Sequence, residues 1–207
     1  RKNGTKQIHP DMLSMEVSLQ SIPSSLTNEE RLIAGCVRGE RLYQRQLYEA
    51  YYSKMLSICM RYANDHDSAT AMLNEGFLKV FTNLCNYRPT HPLETWIRRI
   101  MINTAIDHYR QYKKHQQQID IEQVVHESDP NAENAIAKMS ADEIMALVQQ
   151  LSPAYRTVFN LYAIEGYSHR EISDLLGINE GTSKSNLAKA KNRLQELIKL
   201  HYPHFCY

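Results

Sequence analysis

Between Tyr167 and Ile198 the chain reads YSHREISDLLGINEGTSKSNLAKAKNRLQELI, and three punctuating residues leave this stretch few ways to fold. Ser168 is a helix-capping residue with Glu171 three positions on, the reciprocal pairing of a capping box. Gly177 stands where that helix must stop, because glycine accepts the left-handed backbone that closes a C-terminus. Asn179 then caps a second helix that runs on towards Leu200. Two helices set apart by a glycine-centred turn form a helix-turn-helix, and the second helix of that motif enters the DNA major groove.

The faces of the second helix agree. At about 100° per residue, Thr182, Ser185, Asn186, Lys189 and Arg193 share one stripe. Ser183, Leu187, Ala190, Leu194, Leu197 and Ile198 share another, expected to pack on Ile172, Leu175, Leu176 and Ile178. The first stripe offers hydroxyls, an amide and long cations, the groups that bond base edges and phosphates. Lys184 and Lys191 flank it and add phosphate-neutralising charge. An ordinary solvated face accounts for the charges but not for the cap, the turn and the small residues before them.

Composition narrows the rest. Seven glycines and seven prolines in 207 residues, with no alternating β-branched run, predict an all-α protein. That length suits one or two domains. The formal net charge is only +1, so affinity for nucleic acid must come from local basic patches. No apolar stretch is long enough to span a bilayer and no signal-peptide core is visible, which makes the cytoplasm the expected compartment. Cys36, Cys59, Cys85 and Cys206 form no C-x-x-C pair and stand at no metal-finger spacing from a histidine. Cys59 and Cys85 are read as small hydrophobes in helices, and no metal site or cofactor is expected.

Four stretches and a tail follow along the chain. Residues 1–26 are polar and without period, an extension expected to be disordered. Residues 27–114 form a nearly continuous helical block. Residues 115–139, rich in Gln, Asp and Glu and holding Asp129-Pro130, read as a flexible acidic linker. Residues 140–200 form a second helical block, in which Ser152-Pro153 opens one helix and Gly166 ends it. Residues 201–207 are the tail.

The first block carries the other informative run, TWIRRIMINTAIDHYRQYKK from Thr95 to Lys114. Trp96, Arg99, Asn103, Asp107, Arg110 and Lys114 share a sector roughly 60° wide, while Ile97, Met101, Thr104 and Ala105 supply a buried face. A row of aromatic surface, amide and cations suits unpaired DNA, although Trp96 alone reads better as a core anchor and the basic residues equally as a solvated face. Just ahead, Asn86 to Glu94 contains Pro89 and Pro92 and must be a loop between two long helices. Such a loop is a place to receive an extruded base.

Taken together, the two runs resemble an extracytoplasmic-function (ECF) sigma factor, a bacterial RNA polymerase specificity subunit. RQLYEAYYSKMLSICMRYANDHDSATAMLNEGFLKVFTNL with TWIRRIMINTAIDHYRQ is similar to the first sigma domain (region 2), and LSPAYRTVFNLYAIEGYSHREISDLLGINEGTSKSNLAKAKNRLQELI to the second (region 4). The likeness covers about Leu32 to Leu200. It implies two small helical domains and no catalysis, with the chain bound to core polymerase on its largest-subunit clamp helices and its flap. The helix from Asp67 to Phe81 would meet the clamp through Asp67, Asn74, Glu75, Phe77 and Phe81. Tyr87, Arg88, Trp96, Arg99, Asn103, Asp107 and Arg110 would read and open the promoter −10 element, Asn103 standing at the position tied to an extruded base. Thr182, Lys184, Ser185, Asn186, Lys189 and Arg193 would read the −35 element. Members of the family are commonly held inactive by an anti-sigma protein, so such a partner is also implied.

The sequence departs from the family pattern in two places. An acidic D-A-E-D run is usual in the polymerase-binding helix. Set on Asp67-Ser68-Ala69-Thr70, it leaves two acids missing, at Ala69 and Thr70, before Asn74-Glu75. In the recognition helix Ser183 replaces an aliphatic residue and Asn186 a common arginine. The alternative is a stand-alone helix-turn-helix regulator, which would bind duplex DNA without polymerase but leaves the first block unexplained.

Overall fold

A computed structural model describes residues 27–116 and 140–202. Among these residues every regular element is helical, as the sparse glycine and proline foretell. The expected N-terminal extension, most of the linker and most of the tail lie outside the described residues.

Four helices build the first block: α1 (Asn28–Val37), α2 (Arg41–Tyr62), α3 (His66–Asn83) and α4 (Leu93–Gln116). Their starts are set locally. Thr27 and Glu30 form a capping box on α1, and the Asp65 carboxylate accepts from the Ser68 N–H at 2.7 Å to begin α3. After α3 a 3₁₀ turn, Leu84–Asn86, leads into the proline loop. The packing between α3 and α4 is close because Gly76 has no side chain. A Cβ there would stand 2.2 Å from the Met101 sulfur.

The second block holds α5 (Ala141–Gln149), α6 (Pro153–Phe159), a wide π-type turn (Asn160–Ile164), α7 (His169–Leu176) and α8 (Glu180–His201). Ser152 caps α6 with Pro153 at its first position, as the sequence indicates. The π turn was not expected. It widens the helix end so that the Glu165 N–H reaches back five residues to the Asn160 carbonyl at 3.0 Å, and Gly166 follows with φ 78°.

The apolar interior does not divide at the linker. One cluster joins Leu47, Phe77, Val80, Ile97 and Met101 of the first block to Val158, Leu161, Ile172, Leu176 and Leu187 of the second. A smaller one holds Leu147, Val148, Leu151, Ala190, Leu194, Leu197 and Ile198. Only the first turns of the apolar stripe on α8 therefore meet α7; the rest packs on α5 and α6. Two thiols are part of this interior. Burial lifts Cys36 to about 11 and Cys59 to about 12, so both stay protonated as hydrophobes. Cys85 instead lies exposed in the 3₁₀ turn, against the expectation of a packed helical residue.

Candidate nucleic-acid interface

The helix-turn-helix forms from the residues that announced it. Ser168 and Glu171 complete their capping box, and Gly177 adopts φ 61° to end α7. The Asn179 side chain accepts from the Thr182 N–H at 2.6 Å and starts α8. Lys184, Ser185 and Arg193 are exposed, and Thr182, Asn186 and Lys189 are half-buried. Arg193 is tied to Glu196 at 2.7 Å, and Lys184 lies 4.0 Å from Glu180. Exposed pairs of this kind cost little to exchange for a phosphate. Ser183 does more than leave a smaller contact. It is fully buried and shares a 2.9 Å hydrogen bond with His169 Nδ1. The His169 ring stacks on Tyr162 at 4.6 Å, so a polar pin sets α8 against α7.

On α4 the expected buried face is present: Ile97, Met101, Thr104 and Ala105 are all inside. Ile102 and Ile106 are buried too, a second face that the wheel did not assign. It lies on the side of Arg98, where α4 meets α6 and α7. The row beside it stays open. Arg99, Asn103 and Arg110 are exposed, as is Arg88 in the loop. Asp107 is engaged, accepting from Lys79 at 3.1 Å and lying 3.6 Å from Arg110.

Tyr87 is not a free contact. It is 8% exposed, its hydroxyl donates to the His91 carbonyl at 2.7 Å, and its ring packs on Trp96 at 5.4 Å. The pair braces the proline loop, so a base reaches Tyr87 only if that loop opens. Trp96 keeps a partly exposed edge and serves both as anchor and as surface.

The face of α3 is also sorted by burial. Asp67 and Asn74 are exposed, Asn74 accepting from the Tyr48 hydroxyl at 3.0 Å. Glu75 takes Lys79 at 2.8 Å and His108 at 2.7 Å, and the Lys79 bond leads in holding its carboxyl below the usual carboxylate range. Phe81 is half-buried. Phe77, expected on the contact surface, is instead 2% exposed between Tyr48 and Phe81, at 4.6 and 6.0 Å. Its place one turn after Leu73 on the apolar side makes it core.

The region from residue 47 to 115 matches the family model of sigma-70 region 2, and residues 141–194 match that of sigma-70 region 4. The two matches together span more than half the chain, in the order region 2 then region 4. The chain belongs to the sigma-70 family. Among its relatives, the RNA polymerase sigma factor SigZ of Bacillus subtilis is 27% identical over 153 residues, covering 74% of this chain and 85% of that protein. The RNA polymerase sigma-H factor of Pseudomonas aeruginosa is 27% identical over 181 residues, 83% of this chain and 94% of that one. The ECF RNA polymerase sigma factor SigM of Mycobacterium tuberculosis is 26% identical over 173 residues, 83% of this chain and 85% of the relative. The likeness places this sigma factor in the ECF group.

The structure corrects how the sigma acidic run is set on α3. Ala69 is fully buried, so an exposed acid has no place there. The alanine of D-A-E-D fits that site, one position later than the sequence alignment above sets it, and the acids then fall on Ser68, Thr70 and Ala71. Three are missing rather than two. Thr70 turns its hydroxyl inward to the His66 carbonyl at 2.8 Å.

Proposed function

We propose that this alternative sigma factor binds core RNA polymerase through the exposed part of α3, reads a −35 element with α8 and holds the unpaired −10 strand with the open row of α4. The observation that carries the reading is the pairing of that row with a complete helix-turn-helix, each on its own helix and both accessible. Thr182, Lys184, Ser185, Asn186, Lys189 and Arg193 face the −35 groove. Arg88, Trp96, Arg99, Asn103 and Arg110 meet the −10 strand, with Asn103 taking an extruded base. Binding to unpaired bases stabilises the open promoter because duplex DNA cannot make those contacts.

Holoenzyme reconstituted from core polymerase and this chain is expected to start transcripts at a discrete set of promoters, and Asn103→Ala to reduce open complex without reducing core binding. Transcripts no more specific than those of core alone overturn the reading. Specific duplex binding by the free chain at a palindromic site would favour a stand-alone regulator instead.

A further inference from the structure

At the seam between the two blocks, two arginines of the first block close on one carboxylate of the second. Arg61 Nη2 donates to Glu165 Oε1 at 2.9 Å, and Arg98 Nη2 donates to Glu165 Oε2 at 2.5 Å. The Glu165 side chain is 4% exposed, and among the described residues neither arginine pairs with another acid. Each carboxylate oxygen thus has its own guanidinium, delivered from a different helix. A phosphodiester presents two non-bridging oxygens in the same forked way.

A second observation marks the cleft as built for more than packing. Among the described residues the Tyr62 hydroxyl, on a residue 7% exposed, finds no hydrogen-bond partner, nor does Arg61 Nε. Arg156 Nε and Asn160 Oδ1, across the same seam, are also without partners among those residues. An interior that leaves four polar atoms unsatisfied is held less firmly than an apolar one. When the blocks part, two guanidinium groups and a phenol are bared together on α2 and α4. Arg98 directly precedes Arg99, which belongs to the open row of α4. The chain carries a net charge of only +1, so DNA affinity depends on local clusters of this sort.

We propose that Arg61 and Arg98 form a phosphate-binding cleft for the promoter strand, and that Glu165 masks it in the docked chain as an internal competitor. This rests on the reading of α4 as the helix that meets the −10 strand. Docking and DNA draw on the same two guanidinium groups, so each weakens the other.

The test uses holoenzyme and a forked promoter DNA with an unpaired −10 strand, titrated across a range of salt. Glu165→Gln is expected to tighten binding by about fivefold or more, the low end for coupled sites. Glu49→Gln, at an exposed acid remote from the cleft, controls for net charge and is expected to change little. In the Glu165→Gln background, Arg61→Gln with Arg98→Gln is expected to lower the salt slope by about 0.7 for each phosphate that is no longer neutralised. Arg61→Lys with Arg98→Lys is expected to retain the slope, which separates missing charge from a damaged fold. The proposal is overturned if Glu165→Gln binds no better than Glu49→Gln, or if the double glutamine variant keeps the slope. A cleft that takes an acidic protein surface instead gives that second result. Failure of the α4 reading is distinguishable, since Asn103→Ala would then leave forked-DNA binding unchanged while core binding persists.

Discussion

The seam between α3 and α4 and the seam between the two blocks are both closed, by opposite chemistry. Between α3 and α4 the contact is apolar and near. Gly76 admits Met101, and Phe77, Val80, Ile97 and Met101 are almost fully buried. Between the blocks, polar groups do much of the joining. Arg156, 1% exposed, donates across the seam to the Ala63 carbonyl at 2.9 Å and the Asn64 side chain, and within its own block to the Gln149 carbonyl at 3.1 Å. Asn160 donates to the Arg61 carbonyl at 2.6 Å, and Gln149 to the Met60 carbonyl at 3.2 Å. Burial costs charged groups more than it costs methyls, and it pulls the Arg156 guanidinium down from its usual range. The first seam is held by close apolar contact; the second depends on polar groups that water can also satisfy.

The largest expected effect breaks the apolar seam. Phe77→Ala removes a ring packed between Tyr48 and Phe81 and is expected to cost about 3–5 kcal/mol of stability, read as a lower unfolding midpoint in denaturant. A loss of polymerase binding with stability unchanged would return Phe77 to the contact surface.

A smaller effect tests the polar seam. Arg156→Met keeps most of the volume but leaves the Ala63 and Gln149 carbonyls without their donor, at a cost of about 1–3 kcal/mol for unsatisfied buried groups. The expected outcome is a larger radius in small-angle scattering with helix content retained. Cooperative loss of helix would mean that the seam is as integral as the α3–α4 contact.

The smallest effect concerns acid. Glu30, Asp65 and Glu171 lie below their usual range chiefly through bonds from the backbone N–H groups of Thr27, Ser68 and Ser168, and Glu75 chiefly through Lys79. A lowered folded pKa gives stability that is complete above the unfolded value of about 4 and is lost as pH falls through the folded one. The starts of α1, α3 and α7 are therefore expected to fray below that pH, ahead of the apolar core. Far-UV circular dichroism against pH checks this; a single transition shared with core fluorescence contradicts it.

Much of the candidate site was legible because its signals are local. A capping box, a left-handed glycine and a helical stripe act within a few residues, so Ser168, Glu171, Gly177 and Asn179 behave as their spacing foretells. The buried face of α4 followed for the same reason. The departures have one cause. Phe77 and Tyr87 look available on a wheel or in a loop, yet each is claimed by aromatic neighbours that no local pattern places. Ser183 looks like a reduced core contact until His169 arrives from fourteen residues away in sequence to bond it.

By itself, then, the sequence determined which segments are helices, where the helix-turn-helix bends and which rows on α4 and α8 carry DNA-seeking groups. Those properties are set by backbone propensity and short-range bonds. Tertiary structure alone decided that the two blocks share an apolar cluster, that the stripe of α8 is divided among α7, α6 and α5, and that Glu165 reaches Arg61 from 104 positions away. Such pairings depend on how whole helices stack, and a buried ion pair exists only where that stacking excludes water from both partners.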